Sequence, residues 1–329
     1  MIRFIIFIIS VFIFLIGCQS PPSVTHFSKN VMSIDYHIQI GKNLSQKEKI
    51  FAQKLIDKTF AEINLVYNKW NPHSEISFIN RLSANTQYKP SKELYQFLER
   101  VEFFFQLSEG LFDPTIEPLQ TLWIKNLEKG KTPTDDEIDA IRSIIGWKNI
   151  ILEDGILIKK DSRTQIDLGG IAKGLCVDLL VERFNQAGFN NIYVEWGGEI
   201  RTSGNHPSNR PWRVFISRLG DENPENALTT IDLKNQALAT SGDYFQFWTI
   251  STALNEQESY CHIMNPQTLQ ALKIKKGGIA SASMLASDCV TADALAKVLM
   301  LFNTTEEAEH WIRKQQAIYP DLICWIATH

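Results

Sequence analysis

Five cysteines are too few, and too widely spaced, for a disulfide framework or a zinc site. Apart from Cys18, the chain has Cys176, Cys261, Cys289 and Cys324, which read as small core residues, with a single disulfide left open. Neither charge sign is in excess. Against 37 acidic side chains stand 33 basic ones, which leaves no basic field and excludes nucleic acid as an expected partner. Beyond Pro22 no apolar run is long enough to cross a membrane, and there is no repeat or low-complexity segment. Neither Walker nor Rossmann glycine spacing is present. A hydrophobic fraction of 44% with 21% charged residues then fits an ordinary folded body of one or two domains.

The first residues have a different character. Arg3 gives a positive start, residues 4–16 are almost continuous hydrocarbon, and Gly17 and Cys18 follow. That run is shorter than the roughly 20 residues a spanning helix needs and suits an export signal. Leu15-Ile16-Gly17-Cys18 resembles the bacterial lipobox, which implies cleavage before Cys18 and a lipid on its thiol. Residues 1–18 are thus expected to be a lipoprotein signal, 19–30 a tether and 31–329 the functional body.

Hydrophobic periodicity predicts a strand over 31–40 and a helix over 46–66. Further helices are expected from the Ser91 cap to residue 107, over 116–127, over 134–145 after a Thr-Asp-Asp-Glu capping box, and over 171–187. Asp154-Gly155 predicts a hairpin between strands at 150–152 and 156–159. Strands are expected at 191–195, 212–217, 229–233, 237–240, 245–250 and 279–285, then two helices and a strand near 322–326. Helices grouped in the first half, with strands meeting mostly through turns, indicate an α+β fold with mixed or antiparallel sheets.

Candidate chemistry lies in six segments. In residues 165–174 a strand ends at Asp167, and Gly169-Gly170 turns into a helix carrying Lys173, an arrangement that bares backbone amides and suits phosphate. Residues 109–115 fix Asp113 and Thr115 on a loop, since the residue before proline is extended. Residues 191–200 run a buried strand into Gly197-Gly198. The turns at 240–244 and 261–266 each hold a titratable group, His262 among them. Asp293 reads either as a carboxylate at a helix start or as a hard oxygen ligand for magnesium.

Six segments in register carry a resemblance: Phe-Asp-Pro-Thr at 112–115, Asp-Leu-Gly-Gly-Ile-Ala-Lys-Gly at 167–174, Gly-Gly-Glu-Ile-Arg at 197–201, Thr-Ser-Gly-Asp-Tyr at 240–244, His-Ile at 262–263 and Ala-Asp-Ala-Leu-Ala at 292–296. Together they resemble the FAD:protein FMN transferase family, or ApbE type, over nearly the whole chain beyond the signal. The resemblance implies a T-fold-related α+β body with FAD, the substrate, in a cleft between its two parts. FMN would pass to a threonine or serine of a partner flavoprotein, as a phosphoester, with release of AMP.

Carried onto this chain, it implies Met32 and Trp70 beside the flavin or adenine, contacts from Leu111, Phe112, Asp113 and Ile263, and Asp167 and Lys173 at the nucleotide. Mg2+ would bind the Gly170 carbonyl and Asp293, and His262 would be the catalytic base. The resemblance implies a location at the periplasmic face of the inner membrane, anchored through Cys18, with the outer membrane as the alternative because Gln19 is not the aspartate that commonly retains lipoproteins at the inner one. The expected partners are acceptor subunits of membrane electron-transfer complexes. A magnesium-dependent FAD pyrophosphatase and a non-catalytic flavin-binding lipoprotein are the rival readings. The chain departs from the pattern at Met32-Ser33-Ile34 and at Asn265, Gln267 and Leu269. It departs again at Lys297, where the family has a hydroxyl residue: a protonated lysine cannot ligate magnesium, which leaves direct contact with phosphate, a more weakly bound metal, or Asp288 as a compensating ligand.

Overall fold

The computed structural model describes residues 23–219, 221, 223–251 and 255–329. Cys18, the signal over 1–18 and the first tether residues, 19–22, lie outside the described residues. No helix among the described residues is long and apolar enough to cross a membrane.

Strands β1 (Thr25–Val31) and β2 (Ile34–Ile40) form a hairpin, with Thr25 opposite Ile40 and Val31 opposite Ile34. The tether expected through residue 30 therefore ends earlier. This strand lies at the sheet edge with most side chains outside the core, so its polar composition reads as a tether. Met32 and Ser33, the turn residues, have φ of 52° and 63°, as a two-residue hairpin turn of type I′ demands. Neither is glycine, so the turn stores strain of about 1 kcal/mol or more per residue.

A helical half follows. Helix α1 (Gln46–Val66) opens on a capping box of Ser45 and Glu48, α2 (Glu75–Asn80) on Ser74, and α3 (Lys92–Leu107) on Ser91. A short 3-10 turn at Pro114–Ile116, capped by Asp113, leads into α4 (Glu117–Leu127). Helix α5 (Asp135–Arg142) has the expected Thr134–Glu137 box. Strands β3 (Ile150–Glu153) and β4 (Ile156–Lys159) pair across Asp154-Gly155, and α6 (Ala172–Gln186) comes after the glycine pair.

The second half holds β5 (Ile192–Trp196), β6 (Glu199–Ser203), β7 (Trp212–Ile216), β8 (Thr229–Leu233), β9 (Ala237–Gly242), β10 (Phe247–Ser251), β11 (Gln257–Asn265), β12 (Gln270–Ile274) and β13 (Ile279–Ala286). Helices α7 (Cys289–Leu299) and α8 (Thr305–Gln315) precede β14 (Ile323–Thr328). The main sheet has the order β1-β2-β5-β6-β9-β13-β14, and every neighbouring pair is antiparallel. This is the α+β architecture read from the sequence. Helices α1, α3, α6 and α7 bury one face of the sheet, and β7–β8 cover the other through Trp212, Val214 and Leu233. A second core joins α4 and α5 to the three-stranded sheet β10–β12, where Trp123 Nε1 donates to the Leu269 carbonyl at 3.0 Å. The four described cysteines are free, three of them fully buried, which closes the disulfide option.

Helices α6 and α7 cross at Gly174. A Cβ there would meet the Cys289 carbonyl oxygen at 2.5 Å and carbon at 2.8 Å. Both atoms are backbone and cannot swing aside. Gly174→Ala is expected to cost about 1–3 kcal/mol by overpacking. A urea midpoint unchanged from the wild type would show that the crossing has slack.

Candidate functional site

Because all pairings in the main sheet are antiparallel, the β1–β2 turn, the β5–β6 turn at Gly197-Gly198, the end of β9 and the start of β13 collect at one end. The N-terminus of α6 sits against the same end. Lys173 Nζ reaches the buried Glu199 carboxylate at 2.5 and 2.6 Å and the Gly197 carbonyl at 3.3 Å. Burial opposes the charge on Lys173, yet Glu199 and Asp293 together raise its pKa above the usual. Burial likewise pushes the Glu199 carboxyl up, against the pull of Lys173.

One helix away, Asp293 is fully buried on α7, in its second turn rather than at the helix start. Capping is the work of Asp288 and Asp178. Asp288 accepts from Thr291 N at 2.8 Å and pairs with Arg100, and Asp178 reaches the amides of Cys289 and Val290 at 2.8 and 2.9 Å. With these partners Asp288 cannot compensate at the site. Asp293 Oδ2 accepts from Gly174 N at 3.0 Å, and Oδ1 is ion-paired with Lys297 one turn on. The Lys297 stem lies over Gly170, where a Cβ would stand 3.2 Å from its Cδ and 3.7 Å from the Phe112 ring.

His262 is half-buried on β11. Its Nδ1 lies 3.3 Å from the Gln246 carbonyl, which can only accept, so Nδ1 carries the proton and Nε2 is left with a lone pair. Burial lowers the His262 pKa, and the positive charges of Lys297 and Lys173 add to that. Nearby, buried Asp243 pairs with His329 at 2.9 Å. Ile263 packs against the main core.

The facing wall comes from the helical half. Asp113 Oδ1 accepts from Thr115 N at 2.8 Å and Thr115 Oγ1 at 2.6 Å, and burial pushes its carboxyl up to about 6. No hydrogen bond to Oδ2 occurs among the described residues, and Asp113 lines a cavity of about 310 Å³ with Phe105, Gly146, Gln267 and Leu269. Gln267, on the wall of that cavity, donates to the Glu109 carbonyl at 3.0 Å. Phe112 is buried and Leu111 half-buried beside it. Asp167 has both oxygens engaged inside the chain, Oδ1 by Gly169 N at 2.7 Å and Oδ2 by Lys69 at 3.0 Å. Lys69 also pairs with Glu117 and lies 4.8 Å over the ring of Trp70, which is 82% exposed. Met32 is half-buried in its turn and accepts from Asn68 Nδ2 at 3.6 Å.

The structure thus brings Gly170, Lys173, His262 and Asp293 together, with Phe112 and Asp113 adjoining. Trp70 and Asp167 belong to a second cluster built on Lys69. Sequence reasoning gave no role to Glu199, Lys69 or Glu117. Glu199 had a signal, since a carboxylate directly after a double glycine at a buried strand's end needs a cation. The other two had none, because their pairing spans distant segments.

The donor set does not fit the expected magnesium. Mg2+ wants oxygen ligands at about 2.0–2.1 Å in a near-octahedral shell. Here an ammonium sits on one Asp293 oxygen and an amide on the other. Two unit charges 4 Å apart at an effective dielectric of 20 interact by about 4 kcal/mol, and a divalent ion facing Lys297 would double that as repulsion.

With this geometry in view, likeness to known proteins is informative. The sequence model of the ApbE family matches residues 32–319. A relative from Chlamydia pneumoniae, named FAD:protein FMN transferase, is 40% identical over 303 residues, 92% of each chain. Another of the same name from Vibrio cholerae is 30% identical over 87% of this chain and 84% of its own. The solved flavin transferase ApbE from Vibrio cholerae matches with a TM-score of 0.76 at 27% identity over 94% of each chain. The apo flavinyl transferase ApbE of Pseudomonas stutzeri matches in fold, with a TM-score of 0.80 at 22% identity, covering 94% of this chain and 92% of its own. The chain belongs to the ApbE family.

Proposed function

We propose that this chain is an FAD:protein FMN transferase that moves FMN from FAD to a threonine or serine hydroxyl of an acceptor flavoprotein, forming a phosphoester and releasing AMP. The observation that carries the reading is His262: an imidazole with Nδ1 on the Gln246 carbonyl and no partner on Nε2 among the described residues, set among the Lys173–Glu199 and Lys297–Asp293 pairs in a chain of this family. The acceptor hydroxyl attacks the FMN phosphorus and gives its proton to His262 Nε2. The phosphorus–oxygen bond to AMP breaks, and AMP leaves with the electron pair. Phosphoryl transfer asks chiefly for positioning and charge stabilisation. Phe112, Asp113 and the adjoining cavity suit the flat parts of the substrate, while Met32 and Trp70 offer an apolar turn and an exposed indole for stacking. Magnesium, which the family resemblance implies, is assigned no step.

The same reading takes the enzyme to be exported and anchored through Cys18 on the periplasmic side of the inner membrane, where the acceptor subunits of electron-transfer complexes would be its partners. The lipobox-like tetrad supports this. Incubating the protein with FAD and an acceptor domain is expected to add one FMN mass to the acceptor with equimolar AMP, read by intact-mass spectrometry and nucleotide assay. Free FMN and AMP with an unmodified acceptor would replace the transferase by a pyrophosphatase.

A further inference from the structure

We propose that the ammonium of Lys297 is itself the cation that neutralises the pyrophosphate of FAD, so that this chain acts without a divalent ion at Asp293. The proposal rests on the flavin-transferase reading and refines its site.

Three observations carry it. First, the lysine is built in. Its stem crosses from α7 over Gly170, where the missing Cβ leaves it room, and its head is ion-paired with the fully buried Asp293. A carboxylate buried where Asp293 lies needs a positive partner, and Lys297 supplies one from within the chain.

Second, the head has capacity left. An ammonium has three donors. Among the described residues Lys297 spends them only on Asp293, and its side chain is 29% exposed against 1% for Asp293. The remaining donors have no partner among the described residues. Lys173 is not in the same position, because Glu199 holds it through both oxygens and Gly197 through its carbonyl.

Third, the surroundings favour an anion there. Helix α6 starts beside Gly170 on Ile171, which offers no side-chain cap, and of its first-turn amides Asp293 takes that of Gly174. A pyrophosphate laid along this start meets the Lys297 head and the glycine turn together. In the transfer step the acceptor oxygen bonds to the FMN phosphorus, the bond to the bridging oxygen breaks, and the electron pair departs on AMP. The Lys297 ammonium hydrogen-bonds the oxygens on which charge grows, as point-charge lysines do at other phosphoryl sites.

The test uses the whole chain, with Lys297→Thr and Lys297→Arg variants, in EDTA and then in excess magnesium. ADP binding by calorimetry, Mn2+ binding by electron paramagnetic resonance, and AMP release from FAD in the presence of an acceptor domain are measured. In the wild type, ADP affinity and turnover should change by less than about twofold between the two conditions, and no Mn2+ should bind at the site. Lys297→Thr should lose about 10²–10³-fold in turnover in EDTA, recover with magnesium and bind Mn2+, while Lys297→Arg should stay metal-independent. Wild-type ADP binding or turnover that collapses in EDTA and returns with magnesium overturns the proposal. If no protein cleaves FAD under any condition, the transferase reading fails, and the ADP and Mn2+ measurements still decide what Lys297 does.

Discussion

Replacing His262 with glutamine is expected to slow flavin transfer by about 10²–10⁴-fold, the usual contribution of a positioned general base. Glutamine keeps a polar side chain of similar reach but has no lone pair basic enough to take the hydroxyl proton. FAD affinity should change little, because the Lys173 and Lys297 pairs do not depend on the imidazole. The pH profile sharpens the test. Burial first, and then the charges of Lys297 and Lys173, hold the His262 pKa below the usual 6.5. A base must be unprotonated to act, so the wild-type rate should fall only as the pH drops below that value. The variant should lack this acid limb. A glutamine variant with wild-type turnover, or with the same acid limb, would remove His262 from the chemistry.

Lys159→Met is expected to cost about 3 kcal/mol of stability. Lys159 is fully buried at the end of β4, and its ammonium donates to the carbonyls of Asn80 at 2.8 Å and of Ser162 and Thr164 at 3.0 Å. Methionine fills the space but leaves three acceptors without a donor, each worth about 1–3 kcal/mol when buried. Release from desolvating the charge offsets part of this. The sign with pH is distinctive. Burial lowers the Lys159 pKa from 10.5 to about 8, so over that interval the unfolded chain holds a proton that the native state has lost. Wild-type stability should therefore rise with pH through that window, and the variant should lack the rise. Urea midpoints at several pH values read both effects. The clamp also bears on the site, since Asn80 fixes Ile166 through its side-chain amide at 2.7 and 2.9 Å, next to Asp167.

How much of this was legible in the sequence varies with the range of the interaction. Helix α1 follows from its hydrophobic periodicity, and α3 and the capped start of α5 follow from Ser91 and Thr134, because a cap and its first turn are neighbours in the chain. The Asp154-Gly155 hairpin is local in the same way. Strand β1 was hidden because an edge strand with most of its side chains outside the core looks like a tether, and α2 because six residues carry little periodicity. Strand β6 begins with a buried glutamate, which alternation rules place outside, and β11 mixes a histidine and an asparagine into its pattern. The glycine turn, Asp293 and His262 were readable as motifs. The partners that decide their chemistry were not: Lys173 with Glu199, Lys69 with Asp167, and Asp178 with the amides of α7 join segments that meet only in the folded chain.

The order of the main sheet has a kinetic consequence. Strand β2 pairs directly with β5, Ile40 facing Ile192, although the whole helical half lies between them in the chain. That segment must be looped out or already folded before the two strands can meet, and such distant pairings slow a folding reaction. Helices α1 to α5 are made of local contacts and can form early. The β1–β2 hairpin then waits for β5, and the turn that carries Met32 joins the rest of the site among the last events of folding.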